Sequence, residues 1–277
     1  MPTFQELLSS WAVKLSDYDM QESESLVSWL FEHHLGWKRT ENLNKADESS
    51  FPPKLFEDLE RLKTGEPIQY ILGKGPFYGR EFLVSPATLI PRNETEELVH
   101  LIIKQNPKAG LKILDIGTGT GCIPISLALE MNSPEIFAMD ISEDALVIAR
   151  QNADVLGAKV TFTKCDILIQ TPEVGELDIL VCNPPYIPEQ EKIEMHRNVL
   201  DFEPELALFV SNDDPLIFYR AIAQKGKQLL KTGGKLYFEI NEKYGKEVAA
   251  LMQAMGYLDV QLLKDINGKD RITVARH

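Results

Sequence analysis

A chain of 277 residues, 44% hydrophobic and 26% charged, carries enough apolar material for one large core or two unequal ones, and no apolar run approaches a membrane span. Its formal charge of −13 disfavours a protein that lives by extended contact with nucleic-acid phosphates. Three cysteines, Cys122, Cys165 and Cys182, with no short Cys-x-x-Cys spacing, exclude a disulfide framework and a zinc knuckle and read as reduced, buried thiols.

The chain opens on MPTFQELLSSWAVKL, an amphipathic helix pattern without the basic end and cleavage site of a signal peptide, so a cytoplasmic location is expected. Leu26, Val27, Leu30 and Phe31 share a helical face that Gly36 can terminate, and LFEDLERLKTG resumes the pattern after Phe51-Pro52-Pro53. Residues 1–73 therefore form a small helical domain. Residues 74–91 turn aromatic and β-branched around Gly79 and Pro86, as a short hairpin linker does. Asn93 followed by Glu96 predicts a capped helix start with Leu98, Val99, Leu101 and Ile102 as its apolar stripe.

From here to the end, residues 92–277 alternate short apolar runs with helix-length amphipathic stretches, the signature of a parallel sheet covered on both faces. The strands are KILDIG, EIFAMDI, KVTFTKCDI, LDILVCN, KLYFEIN, LDVQLLK and RITVARH, giving an α/β, seven-stranded, doubly wound Rossmann-like sheet. The last two have no helix-length segment between them and are expected to pair antiparallel through Asn267-Gly268.

The first of these strands runs into Asp115-Ile116-Gly117-Thr118-Gly119-Thr120-Gly121, where glycines let backbone approach a ligand beyond the strand's carboxyl end. A dinucleotide fingerprint read from Gly117 would place Cys122 where a small residue is required, so the loop fits instead the Asp-x-Gly-x-Gly-x-Gly pattern of S-adenosylmethionine enzymes. Asp140, closing the second strand about 20 residues on, is positioned for the ribose hydroxyls. Asp166 and Leu168, after the third strand, are candidates for the adenine. Asp115 orients the loop or meets the methionine ammonium.

The fourth strand ends in Cys182-Asn183-Pro184-Pro185-Tyr186-Ile187. The prolines remove two donors and hold the chain extended, leaving carbonyls free to face a site. The Asn183 side-chain carbonyl and the Pro184 backbone carbonyl can each accept one N–H of a planar NH2 group, with Tyr186 offering an aromatic face. Such a clamp raises electron density on a delocalised nitrogen and holds it at an attack distance of about 3–3.5 Å from a methyl donor. No strong base is needed first. Cys182 as a nucleophile is the weaker reading, since strand alternation turns it from Asn183 and no acid neighbours it. Histidines 33, 34, 100, 196 and 277 lie outside these loops and read as surface or packing residues.

On these residues the sequence resembles the family of peptide chain release factor glutamine N5-methyltransferases. The likeness runs through Pro67-Ile68-Gln69-Tyr70-Ile71-Leu72-Gly73, Phe77-Tyr78-Gly79, Leu89-Ile90-Pro91-Arg92 with Glu94-Thr95-Glu96, the glycine loop, Asn183 to Ile187, Glu203-Pro204, Phe218-Tyr219-Arg220 and Gly268-Lys269-Asp270-Arg271. The resemblance implies methyl transfer from S-adenosyl-L-methionine to the glutamine of the Gly-Gly-Gln motif in class 1 release factors. It also implies that the helical domain touches the factor, that Arg92 to Glu96, including Glu94, roof the cofactor, and that Phe77 lines the same pocket. Asn93 stands where the family usually has Pro, and Leu168 where many members carry an aromatic. A monomer is expected.

The rival is an adenine-N6 methyltransferase acting on DNA or RNA, because adenine offers the same planar NH2 to the same tetrapeptide. Net acidity and the lack of a basic target-recognition region weigh against it. A scaffold that binds cofactor without catalysis is the third reading.

Overall fold

A computed structural model describes residues 2–37 and 48–277, which divide by contact into two units. The first comprises residues up to Lys74 together with His196–Phe202, and the second Gly75–Met195 together with Glu203–His277.

The first unit holds α1 (Phe4–Ala12), α2 (Met20–Leu35), α3 (Pro53–Lys63) and α4 (Ile68–Leu72). A capping box starts α1: the Glu6 N–H donates to the Thr3 hydroxyl and the Thr3 N–H to the Glu6 carboxylate. Gly36, left-handed at φ 70°, stops α2 as its sequence position suggests. Pro53 opens α3, where a helix needs no N–H. Trp11, Val27, Leu30, Phe31, Leu55 and Leu62 form the buried centre of this unit.

The hairpin follows as β1 (Lys74–Phe77) and β2 (Arg80–Leu83), turning through Tyr78 and Gly79, both left-handed at φ 50° and 73°. This mirror-type turn matches the right-handed strand twist. Pairing ends at Leu83 because the partner strand begins only at Lys74, just after α4 ends at Leu72; the rest of the segment to residue 91 continues unpaired. Phe77 and Phe82 pack edge to face at 5.9 Å inside the second unit's core.

The remaining elements are α5 (Asn93–Gln105), β3 (Lys112–Ile116), α6 (Cys122–Glu130), β4 (Glu135–Asp140), α7 (Glu143–Leu156), β5 (Thr161–Lys164), β6 (Leu177–Cys182), β7 (Ile187–Pro188), α8 (Arg197–Phe202), α9 (Glu205–Leu208), β8 (Phe209–Val210), α10 (Ile217–Leu229), β9 (Leu230–Glu239), α11 (Gly245–Ala254), β10 (Leu258–Lys264) and β11 (Asp270–Arg276). The expected Asn93–Glu96 cap does not form. Arg92 occupies the cap position without a side-chain bond, and the Glu96 carboxylate accepts the Tyr78 N–H of the hairpin turn at 2.8 Å. A tertiary donor has replaced the local one.

Seven strands order as β10-β11-β9-β6-β3-β4-β5, parallel from β9 to β5, with β11 antiparallel to both β9 and β10. The Asp265 carboxylate ties the last turn by accepting the Asn267 and Lys269 N–H groups at 2.9 Å, and Gly268 takes φ 79°. Consecutive strand residues enter different cores. Leu114, Leu180 and Phe238 pack with α10 and α11, whereas Ile113, Ile179 and Tyr237 pack with α5 and α6. Both faces are therefore covered, which is why the strands read as unbroken apolar runs. The chain winds outward from β3 to β5, then crosses back to β6 on the other side of β3. The carboxyl ends of β3 and β6 thus flank the point of reversal, where open α/β sheets bind ligands.

Candidate active site

At that reversal lies a cavity of about 320 Å³, within the range of small-molecule sites. Its walls come from the loops after four parallel strands and from the segment Ala87–Arg92.

After β3, the chain turns through Gly117, Gly119 and Gly121 at φ 71°, 53° and 80°, values that only glycine adopts without strain. The Gly117 and Thr118 N–H groups donate to the Met139 carbonyl at 2.9 and 3.0 Å, so β4 holds the loop's first half. Gly121 meets a second constraint. A Cβ there would lie 2.9 Å from Ile125 Cδ1 and 3.2 Å from Ala149 Cβ, which lets α6 and α7 pack closely behind the loop. Asn152, buried in α7, donates to the Thr120 carbonyl at 2.9 Å and to the Leu83 carbonyl at 3.0 Å. It also accepts the Leu83 N–H.

Asp140 ends β4 with each carboxylate oxygen engaged: Oδ2 accepts the Gly119 N–H and Oδ1 the Ser142 N–H, both at 2.9 Å. Burial raises its pKa, with these backbone donors opposing. Asp115 is more extreme. It is 1% exposed, and among the described residues no donor meets either of its oxygens in hydrogen-bond geometry, the Thr118 hydroxyl lying nearby without a formed bond of its own. Burial pushes the Asp115 carboxyl up to about 8, the nearby Thr118 hydroxyl opposing and Asp140 adding to the rise. A buried carboxylate without a donor asks for a cationic or donor-rich ligand. After β5, Asp166 Oδ1 accepts the Leu168 N–H at 2.9 Å, tightening a turn that brings Asp166 and Leu168 to the cavity wall.

After β6, Asn183, Pro184 and Pro185 line the same cavity. Their setting is governed by Glu239, to which the sequence assigned no role, and by Thr95, which entered there only within the Arg92 to Glu96 segment. The Thr95 hydroxyl donates to Glu239 Oε2 at 2.7 Å, and the Asn183 Nδ2 donates to the Thr95 oxygen at 3.3 Å. Tyr186 is not on the cavity wall: its hydroxyl donates to Glu239 Oε1 at 3.4 Å, and its carbonyl accepts the Asn241 side chain at 3.3 Å. Glu239 is 1% exposed, and burial pushes its pKa up to about 7. Burial and the Glu239 charge also raise Tyr186. The parallel pairing of β7 with β8 fixes the chain just beyond.

Over the cavity, the Arg92 guanidinium donates to Glu203 Oε1 at 2.6 Å, and Glu203 Oε2 accepts the Ile90 N–H at 3.1 Å. Glu203 is thereby a buried anchor for the Ala87–Arg92 segment. The structure gathers Arg92, Gly117, Thr118, Gly119, Thr120, Asp140, Asp166, Leu168, Asn183, Pro184 and Pro185 around one cavity. It places Gly121, Glu94, Phe77 and Tyr186 off its wall, Phe77 being a core residue at 1% exposure. Cys182 does reach the cavity, but burial raises its thiol well above the ordinary range, which disfavours a thiolate. No histidine lines it. Among the described residues there is no cluster of metal-ligating side chains and no helix long and apolar enough to cross a membrane.

A hint of Glu239 was present in the sequence: one acidic residue at the end of the apolar run KLYFE. Thr95 stood out only as part of the Arg92 to Glu96 segment that the resemblance placed over the cofactor; its bond to Glu239 becomes visible only in the fold.

A methyltransferase domain model matches residues 107–256, and a PrmC N-terminal domain model matches residues 6–73. A release factor glutamine methyltransferase of Bacteroides thetaiotaomicron is 55% identical over 216 residues, covering 78% of this chain and 77% of that one. Proteins of the same description from Flavobacterium psychrophilum and Bacillus subtilis are 44% and 38% identical, covering 93% of both chains and 99% and 98% respectively. Among solved structures, a methyltransferase from Pyrococcus furiosus superposes with a TM-score of 0.54 at 18% identity, over 79% of this chain and 97% of that one, a likeness of fold.

Proposed function

This chain belongs to the family of release factor glutamine methyltransferases, and from that premise we propose that it transfers a methyl group from S-adenosyl-L-methionine to the side-chain amide nitrogen of the glutamine in the Gly-Gly-Gln motif of class 1 release factors. The observation that carries the reading is a shared wall. The glycine loop and Asn183-Pro184-Pro185 line a single cavity at the sheet's reversal point.

The residues present fit the cofactor. The unpartnered Asp115 and Thr118 suit an ammonium group, Asp140 suits ribose hydroxyls, and Asp166 with Leu168 suits the adenine, beneath the roof of Arg92 and Glu203. When bound, the cofactor supplies a methyl group on a positively charged sulfur. Asn183 Oδ1 and the Pro184 carbonyl accept the two N–H groups of the glutamine amide, which orients its nitrogen and increases its electron density. Methyl transfer then needs no prior deprotonation: the nitrogen gains the methyl as the bond from sulfur to that methyl breaks, and the methylated nitrogen, far more acidic, releases its surplus proton afterwards. Tyr186, directed to Glu239, stiffens the tetrapeptide from behind.

Residues 1–73 serve in this reading as the module that recognises the release factor. Residues 74–91 are the connecting segment, and 92–277 the catalytic domain. The protein works as a cytoplasmic monomer without extended nucleic-acid contacts, in keeping with its charge of −13. The deciding experiment incubates the protein and labelled cofactor with either a purified release factor or duplex DNA. Label on the release-factor glutamine is the expected result; label in DNA alone overturns the assignment in favour of adenine methylation.

A further inference from the structure

We propose that Glu239 and Thr95 are positioning residues that decide which end of the Asn183 side-chain amide faces the acceptor. This rests on the reading of Asn183 as one jaw of an amide clamp.

An amide group is nearly symmetric in shape, its oxygen and NH2 differing little in size, so packing alone selects its orientation poorly. Polarity can select it. An ionised carboxylate has no hydrogen to give, so across the 2.7 Å contact the Thr95 hydroxyl must donate its only hydrogen to Glu239. The Thr95 oxygen then has only lone pairs left for its other neighbour. Across the 3.3 Å contact, Asn183 must therefore present its NH2, and Oδ1 is turned to the opposite side. That is the orientation an N–H donor requires. The same carboxylate receives the Tyr186 hydroxyl on its other oxygen, so one buried charge addresses both ends of the tetrapeptide.

The arrangement depends on the charge of Glu239. Facing it are Arg271 from β11, which favours the ionised form, and Glu94 in the first turn of α5, which disfavours it. The Tyr186 hydroxyl, the Tyr219 hydroxyl from α10 and the buried thiols Cys122 and Cys182 lie within its field. Burial dominates and pushes its pKa up to about 7, with the Thr95 bond and Arg271 opposing. A protonated Glu239 can donate to Thr95. The threonine hydrogen is then released toward Asn183 Oδ1, and the amide loses its reason to keep the oxygen outward. Turnover should consequently fall as pH drops through about 7.

The test compares Glu239→Gln, Thr95→Val and Thr95→Ser with the wild type, using purified release factor and saturating S-adenosylmethionine, with cofactor affinity measured separately by calorimetry. Gln can donate to Thr95, Val removes the relay, and Ser retains it. Glu239→Gln and Thr95→Val should each lower kcat about 10–100-fold, as loss of an orienting partner does elsewhere. KM for the release factor and cofactor Kd should move much less. Thr95→Ser should keep most of the activity, and the acid limb of the wild-type kcat profile should flatten in Glu239→Gln. If Glu239→Gln fails to unfold cooperatively, Thr95→Val against Thr95→Ser decides. A wild type that methylates the release factor while Thr95→Val and Glu239→Gln retain its kcat overturns this inference alone. A wild type that transfers no methyl to the factor overturns the functional reading beneath it.

Discussion

Replacing Gly121 by Ala tests whether the glycine loop is shaped by packing as well as by ligand approach. At φ 80°, an L-residue is strained by about 1–2 kcal/mol. The added methyl would also stand 2.9 Å from Ile125 Cδ1 and 3.2 Å from Ala149 Cβ, and Ala149 offers no flexible arm to swing aside. Overpacking of that kind costs about 1–3 kcal/mol, so a total of about 2–5 kcal/mol is expected against a typical domain stability of about 5–15 kcal/mol. Gly119 supplies the control. It is also left-handed, at φ 53°, yet a Cβ there meets nothing within 4 Å, so Gly119→Ala should cost only the backbone strain of about 1–2 kcal/mol. Urea titration followed by circular dichroism measures both without cofactor. Equal midpoints for the two variants would refute the claim that α6 and α7 close on the loop at Gly121.

Further outcomes follow from the same geometry. Asn183→Ala should lower kcat about 10²–10³-fold in release-factor methylation while cofactor Kd changes little, since a preorganised acceptor acts chiefly in the transition state. Asp140→Ala should do the reverse and weaken cofactor binding by calorimetry first, because it removes both the proposed ribose acceptor and the tie to the Gly119 N–H at 2.9 Å. Glu203→Ala should free the roof, leaving the Ile90 N–H and Arg92 without their acceptor; faster proteolysis between residues 87 and 92, with stability lowered by about 1–3 kcal/mol, is the readout. Asp115, pushed up to about 8, holds its proton in the folded state across a window where the unfolded chain has released it. Its contribution to stability is therefore present at low pH and lost as pH rises from about 4 to about 8. Stability of the cofactor-free protein should decline over that window, and Asp115→Asn should flatten the decline in urea titrations at stepped pH. An unchanged slope would show that Asp115 is already ionised.

What could be read from residues alone was whatever repeats locally. Seven apolar runs, most of them divided by helix-length stretches, define the sheet, Ser142 and Gly36 mark helix ends, and the glycine loop and Asn183 to Tyr186 stand out by their spacing along the chain. Such signals persist because period, cap and turn depend on near neighbours. Asn93 and Glu96 show the limit: their local pattern is a cap, but the hairpin turn brings a better-placed donor to Glu96 from 18 residues away. The partners of the acceptor motif are more distant still. Thr95 and Glu239 are 144 positions apart and Glu203 and Arg92 are 111 apart, yet each pair meets because the winding of the sheet brings strand ends and helix starts to one edge. A buried carboxylate's meaning lies in its donors, and only the folded chain says which donors those are.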